Sequence, residues 1–488
     1  MSKILSKEGY LLDKSKFPPE KIVQVRKELI VKPYQTFKVP NMPVITYPVY
    51  KEDDNYLCIP KFYGLKKFGK PDEDHEVEGQ KVDYKFLYKP RKTDVLDQNI
   101  VIKDTIKKID DVGGGLICAG CGAGKTFMGL YIAHHYKVKT LIIVHKTFLL
   151  NQWVEKINEY TDGDCKVGII QQKKIEVEDK DIVIGMLQSI AKEKYDDDIF
   201  MDFGMVIFDE AHHAPSKYFS KALPIINCKK SLALSATPKR SDRMEKVLYW
   251  YLGDICYKAP PNKNNIVKVN LYNYDIKHAK FAECYMRTGD VNRPRTLNRI
   301  VRLKKRNKFI INLLLEIMKE EGRQCLILSD RIEHLEKLKE KIDEDGNYTC
   351  DYYIGGKSQK KLDEASKAQI LLGSYGMASE GLDIPSLNTL ILATPRSKVE
   401  QSAGRIIRKM GKVDPLIVDI IDQLPCFVNQ GMQRKRLYKK LEYNMTIHDV
   451  EENKIVEVKE EVKKTRKKKE TSSGPSINDI LDGDTFIE

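Results

Sequence analysis

Three stretches of this sequence carry residue types at spacings that suit phosphoryl chemistry. In Ala119-Gly120-Cys121-Gly122-Ala123-Gly124-Lys125-Thr126, glycines alternate ahead of a lysine and a threonine. Glycines let successive backbone N–H groups turn inward around phosphate oxygens, and a helix beginning at the lysine adds its positive end. Lys125 would then reach the β- and γ-phosphates of a nucleotide, and Thr126 would hold Mg2+. Ala119 stands where the strict fingerprint has glycine, so the loop needs support from its context. That support comes 84 residues after Lys125 (209 − 125), in Ile207-Phe208-Asp209-Glu210-Ala211-His212. The apolar residues ahead of it predict a strand end that aims both carboxylates into a crevice. Asp209 can hold the magnesium through water, and Glu210 can polarise the attacking water. The third stretch, Gln401-Ser402-Ala403-Gly404-Arg405-Ile406-Ile407-Arg408, reads as the start of a helix. Arg405 and Arg408 are three apart and share a face. Placed over the glycine loop, Arg408 would be an arginine finger supplied by the same chain, with Arg405 beside it. Gly404 inside that helix points to close approach of another body.

Such groups work only if a sheet positions them. Val95–Ile109 can form a helix, Leu116–Ala119 a compact strand, and Thr126–His135 the helix after the glycine loop. Further strands are expected at Thr140–Val144, Asp181–Ile184, Met205–Phe208 and Ser231–Ser235. Most of these runs are short and apolar without alternation, the pattern of strands covered on both faces. A second series follows: a helix over Phe309–Lys319, a strand over Gln324–Leu328, a helix over His334–Lys341, and strands at Ile370–Ser374, Thr389–Ala393 and Pro415–Asp419. It repeats the first architecture without the glycine loop. The fold class is therefore α/β, with two tandem P-loop-type lobes built on parallel sheets.

Before the first lobe, Thr36–Val39, Val44–Tyr50 and Tyr56–Ile59 are β-prone runs broken by prolines and glycines. They predict a small β-rich domain rather than long helices. The expected division is residues 1–90 as an N-terminal accessory domain, 91–258 as lobe 1, 259–300 as a linker or small insertion, 301–450 as lobe 2, and 451–488 as a charged tail. The tail carries Lys463, Lys464, Arg466, Lys467, Lys468 and Lys469, a composition expected to be disordered.

Bulk properties limit the rest. The 488 residues are 41% hydrophobic and 32% charged, ordinary for a globular chain of about three domains. A formal charge of +14 favours polyanionic partners. The start lacks the apolar core of a secretory signal, and runs such as Leu141–Val144 fall far short of the ~20 residues of a membrane helix. Ten scattered cysteines do not make a disulfide framework and fit a reducing compartment. Cys118 and Cys121 lack the second pair that a zinc site needs, and read as residues of a buried strand and its turn.

With its motifs in this order, the chain from Thr93 to Tyr443 resembles superfamily 2 helicases and translocases, specifically the DEAH-box group with two RecA-like lobes. The family form of the loop begins with alanine, as Ala119 does. The resemblance implies that Gln98 contacts adenine and that His145-Lys146-Thr147 touches the nucleic-acid backbone, as Gln188 and Ser189 do. Gln152 and Trp153 match a common pair. Asp209 to His212 match motif II, and Ser235-Ala236-Thr237 a segment coupling nucleotide state to lobe movement. Leu326–Arg331 lies where motif IV is expected. Ser374–Pro385 matches motif V, with Gly381 and Asp383 its best residues. Gln401, Gly404, Arg405 and Arg408 match motif VI. His213 and Pro215 extend the likeness toward XPB-type translocases and phage branch-migrating helicases. A narrower likeness is to helicases of large DNA viruses, including the poxvirus transcript-release type.

The resemblance implies an ATP-dependent helicase or translocase using ATP and Mg2+. DNA is the expected partner through the narrower likeness, with RNA the alternative and transcription machinery a further partner. No membrane is involved. The expected location is the cytoplasm of the producing or host cell, or the virion. The competing reading is a duplex-DNA translocase that remodels forks or protein–DNA complexes without unwinding.

Overall fold

Gly114–Cys118, Thr140–Val144, Ile182–Met186 and Met205–Phe208 are strands in which every residue is buried, as their unbroken apolar composition requires. The computed structural model describes residues 3–34, 45–92, 96–120, 122–193, 195–237, 239–240, 242–260, 266–380, 384–397, 399–405 and 413–460. In the first large sheet the strands run in the order Lys174–Ile175, Val167–Gln171, Ile182–Met186, Thr140–Val144, Met205–Phe208, Lys230–Ser235, Gly114–Cys118, Ile255–Lys258. All neighbours are parallel except the first pair. Alternate residues serve opposite faces, as the two-residue strand period dictates. Ile117, Ile142, Val144, Ile207 and Leu234 pack with Val101, Met128 and Trp153 from the helices Gln98–Val112, Lys125–Tyr136 and Thr147–Thr161.

Leu116, Leu141, Ile143, Phe208 and Ala233 turn to the other face. There they share one core with Tyr10, Leu12, Leu29 and Leu57 of the N-terminal region. That region has a five-stranded sheet, including Lys3–Ser6, Gly9–Asp13 and Tyr56–Ile59. It also has two helices, Pro19–Glu28 and Lys61–Phe68, where small sheets rather than long helices were expected. The helices are short and begin directly after Pro18 and Pro60, so the same prolines that break the strand pattern start them. Thr36–Val39 lies outside the described residues.

The second large sheet runs Cys350–Tyr353, Ile370–Ser374, Cys325–Ser329, Thr389–Leu392, Leu416–Asp422, Lys268–Asp275, Asn444–Glu451, Lys454–Glu460. Lys268–Asp275 comes from the stretch read as a linker or small insertion, within which Ile266–Tyr274 has a β-like pattern. It pairs in parallel with Leu416–Asp422 and Asn444–Glu451, burying Val269 and Leu271 on one face and Tyr272 and Tyr274 on the other. Lys454–Glu460 falls in the stretch read as a charged tail. It closes the sheet as an antiparallel edge through a turn at Glu452 and Asn453, both with positive φ. Its charged residues suit an exposed edge, and composition alone does not separate that from a tail. The basic run at 463–469 lies outside the described residues. Among the described residues, no helix is long and apolar enough to cross a membrane.

A buried ion pair within the N-terminal region reaches lobe 1 through one backbone carbonyl. Lys61 Nζ donates to both carboxylate oxygens of Glu76 (2.7 and 2.8 Å) and to the carbonyl of Lys229 at 2.9 Å. Both side chains are under 5% exposed. Lys61→Met leaves the Glu76 carboxylate buried without its main partner, a loss of about 3–5 kcal/mol. The expected result is a clearly lower urea midpoint; an unchanged midpoint would show that the pair contributes nothing.

A candidate nucleotide site at the sheet edge

Strand register places the functional loops. Cys118 pairs with Ser235, Phe208 with both Ala233 and Ile143, and Val144 with Met186. The residues that follow these strand ends therefore emerge together at the carboxyl edge of the sheet, where open α/β sheets bind their ligands. They are Ala119 to Lys125, Asp209-Glu210, His145-Lys146 and Leu187-Gln188.

The glycine loop ends in a left-handed turn. Gly122 and Gly124 have φ of 78° and 79°. The backbone at Gly124 favours glycine, and a Cβ there would lie 2.4 Å from Gln98 Nε2, so that amide would have to move. Gln98 is 3% exposed. Its amide nitrogen donates to the Ala123 carbonyl at 3.4 Å, and its amide oxygen accepts from the Arg91 N–H at 3.1 Å. The side chain expected to meet adenine thus ties the loop to the segment before the first helix. Gly120 has open space beside it. Lys125 begins the helix Lys125–Tyr136, and its ammonium is held by the carbonyls of Ala119 and Gly120 at 3.0 and 3.1 Å. Thr126 follows, half-buried. Cys118 Sγ contacts the Ala236 carbonyl at 3.6 Å, and Cys121 lies outside the described residues.

Asp209 directly follows the strand Met205–Phe208. Its Oδ2 accepts from Trp153 Nε1 at 2.8 Å, and its Oδ1 from the Glu210 N–H at 2.9 Å. Burial pushes the Asp209 carboxyl above the usual range and the neighbouring Glu210 adds to this, while Trp153 and Lys125 act the other way. Two adjoining carboxylates disfavour each other's charge unless a cation joins them, and the Asp209 oxygens with the Thr126 hydroxyl are donors suited to Mg2+. Glu210 is buried and has a left-handed backbone, φ 45° and ψ 47°. For a non-glycine residue this costs about 1–3 kcal/mol and is typical of functional positions.

Several of the residues expected to couple the sites or touch nucleic acid are linked to one another. His212 Nδ1 lies 3.2 Å from Ser235 Oγ and 3.4 Å from Glu210 Oε2. The His212 carbonyl accepts from Arg240, whose guanidinium is forked on Asp242 at 2.6 and 2.8 Å. Gln188 Nε2 donates to the His145 carbonyl, while Ser189 Oγ accepts from the Gln172 N–H at 2.9 Å. Lys146 lies over the Phe148 ring. Thr237 follows the Ser235 strand end, and Ser374 ends the strand Ile370–Ser374 in lobe 2. Gln401 and Arg405 fall on the helix Glu400–Arg405. Gly381, Asp383 and Arg408 lie outside the described residues. Burial raises the Cys118 thiol above its ordinary range, while the nearby Lys258 and Lys125 act the other way.

Two residues acquire roles that their types alone did not reveal. Trp153 reads from sequence as half of a common pair, and Arg240 belongs to none of the motifs singled out there. Both are hydrogen-bonded to the motif carrying Asp209 to His212, contacts that depend on the tertiary fold.

The family model described as the res subunit of type III restriction enzymes matches residues 93–240, and that of the helicase conserved C-terminal domain matches residues 305–410. A protein of Acanthamoeba polyphaga mimivirus with ATP-dependent RNA helicase in its name is 36% identical over 467 residues, covering 92% of this chain and 87% of the relative. A protein of Escherichia phage T5 named as a helicase is 28% identical over 333 residues, covering 65% and 70%. One from African swine fever virus, also with ATP-dependent RNA helicase in its name, is 26% identical over 378 residues, covering 71% and 72%. The chain belongs to the superfamily 2 helicases and translocases, related to those of phages and large DNA viruses, and shares their general ATP-dependent action on nucleic acid.

Trp153→Phe removes the indole donor to Asp209 and keeps a ring in the core. A hydrogen bond to a charged group contributes about 1.5–3 kcal/mol, so kcat for ATP should fall by about 10-fold or more. Steady-state ATPase with saturating MgATP reads this; a wild-type kcat would remove Trp153 from the site.

Proposed function

We propose that the protein is a DNA helicase of DEAH-box type, close to the XPB-like and phage branch-migrating branch, that hydrolyses MgATP to move along the strand. The observation that carries this reading is the sheet edge itself, where Lys125 and Thr126 stand beside Asp209 and Glu210. Lys125 neutralises charge on the β- and γ-phosphates, Thr126 and Asp209 hold Mg2+, and Glu210 aligns the attacking water. Lobe 2 supplies Arg405 and Arg408 to the γ-phosphate, with Gln401, Gly381 and Asp383 completing its side of the site. Loss of the γ-phosphate lets the lobes part. The backbone contacts at His145, Lys146, Gln188, Ser189 and Ser374 then exchange grip. Such contacts are sequence-independent and salt-sensitive.

The working division is an accessory region at 1–90, lobe 1 at 91–258 and lobe 2 at 301–450, with Lys268–Asp275 from the joining stretch and Lys454–Glu460 from the charged tail added to the lobe 2 sheet. Kinship with large DNA viruses supports a role in viral transcription, of the transcript-release type, in the host cytoplasm or virion. Repair or recombination remains the other setting, and transcription machinery is the corresponding protein partner. One observation favours a second reading. The mimivirus and African swine fever virus relatives carry RNA helicase in their names, so RNA is the alternative track. A translocase that remodels duplex DNA without unwinding shares the same motor groups.

Steady-state ATPase with single-stranded, duplex and forked DNA and with single-stranded RNA separates these. Stimulation by single strands or forks supports the DNA helicase, stimulation by duplex alone the translocase, and stimulation by RNA alone overturns the DNA assignment. Lys125→Ala should abolish turnover yet keep nucleic-acid affinity. Arg408→Ala should bind ATP normally and fail to hydrolyse it; retained turnover would dismiss the finger.

A further inference from the structure

Three imidazoles stand in a row across the carboxyl edge of lobe 1. The His145 and His213 ring centroids are 4.0 Å apart with planes inclined by 31°, and those of His213 and His212 are 4.2 Å apart at 38°. The row joins two segments that are 67 residues apart in sequence (212 − 145). One end, His145, directly follows the strand Thr140–Val144, is 5% exposed, and precedes Lys146. The other end, His212, lies 3.4 Å from Glu210 Oε2 and 3.2 Å from Ser235 Oγ.

The middle ring belongs to His213, which the motor chemistry does not use. Its position is tightly determined. Its backbone N–H donates to the Glu210 carbonyl at 3.1 Å, and the carbonyl of its neighbour His212 is held by Arg240. His213 is thus bonded through its backbone to the residue that aligns water, and in ring contact with the residue that begins the nucleic-acid loop. Flat rings about 4 Å apart are in van der Waals contact, so a displacement of one is passed to the next rather than absorbed.

We propose that His213 is a positioning residue through which the His145-Lys146 segment, on meeting the nucleic-acid backbone, sets the placement of Glu210. It acts through ring contact and not through proton transfer. A shift of the His145 backbone moves the His213 ring, and the short turn Ala211–His213 carries that shift to Glu210, which holds a left-handed backbone conformation. This inference rests on the roles given above to Glu210 and to the His145-Lys146 segment.

The test compares His213→Leu, which keeps bulk but not a flat ring, with His213→Phe, which keeps a flat ring and loses the nitrogens. Basal ATPase, maximal nucleic-acid-stimulated ATPase and the nucleic-acid concentration giving half-stimulation are measured on the full chain. His213→Leu should retain basal turnover and half-stimulation within ~2-fold and lose at least ~5-fold of the stimulation, the lower range of site-to-site coupling. His213→Phe should recover most of it. Full stimulation of His213→Leu, or equal damage in both variants, would overturn the ring-contact role. Should His213→Leu not fold, His213→Gln takes its place with the same expectations. A wild-type ATPase that no nucleic acid stimulates would instead overturn the motor reading beneath it.

Discussion

In lobe 1, Cys118 lies opposite Ser235, and Phe208 opposite both Ala233 and Ile143. This parallel register is the constraint on which the rest depends. Parallel strands must be covered on both faces, so their residues are spent on the core and only their ends can carry chemistry. The same register that buries Ile117, Ile142 and Ile207 on one side brings Lys125, Asp209, Glu210 and His145 to one edge. Gathering two carboxylates at a half-enclosed edge is electrostatically costly. Trp153 and Lys125 offset part of that cost.

Lobe 2 solves a related problem with buried guanidinium groups. Arg306 is forked on Asp422 and donates to the Ala393 carbonyl, while Arg434 is forked on Asp419 and donates to the Arg396 carbonyl. All four side chains are at most 1% exposed. Buried pairs of this kind add little net stability but tolerate little rearrangement. Both reach the segment 393–396, which leads into the helix Glu400–Arg405.

Much of this was legible from the residues. Thr140–Val144, Met205–Phe208, Tyr56–Ile59 and Ile370–Ser374 are strands with the bounds read from sequence, because each is a short apolar run between clear breaks. The glycine loop and the Asp209-Glu210 pair carry fixed spacing and chemistry, and they stand at the strand ends where they were expected. What escaped is whatever depends on partners far along the chain. Ile266–Tyr274 reads as a β-like run, but its place inside the lobe 2 sheet shows only once Leu416–Asp422 and Asn444–Glu451 flank Lys268–Asp275. Lys454–Glu460 looks like solvated tail until it pairs. The bond from Trp153 to Asp209 and the ring contact of His145 with His213 join residues that no local pattern connects.

The shared core beneath lobe 1 fixes what the N-terminal region can be used for. Tyr10, Leu12, Leu29 and Leu57 fill the same interior as Leu116, Leu141 and Phe208. Rotating one body against the other would open that interior to water. Any surface presented by the N-terminal region therefore keeps a constant distance from the glycine loop, whatever lobe 2 does. A molecule bound there would share the frame of reference of lobe 1, and would register each change in lobe 2 as motion of the track rather than of its own seat.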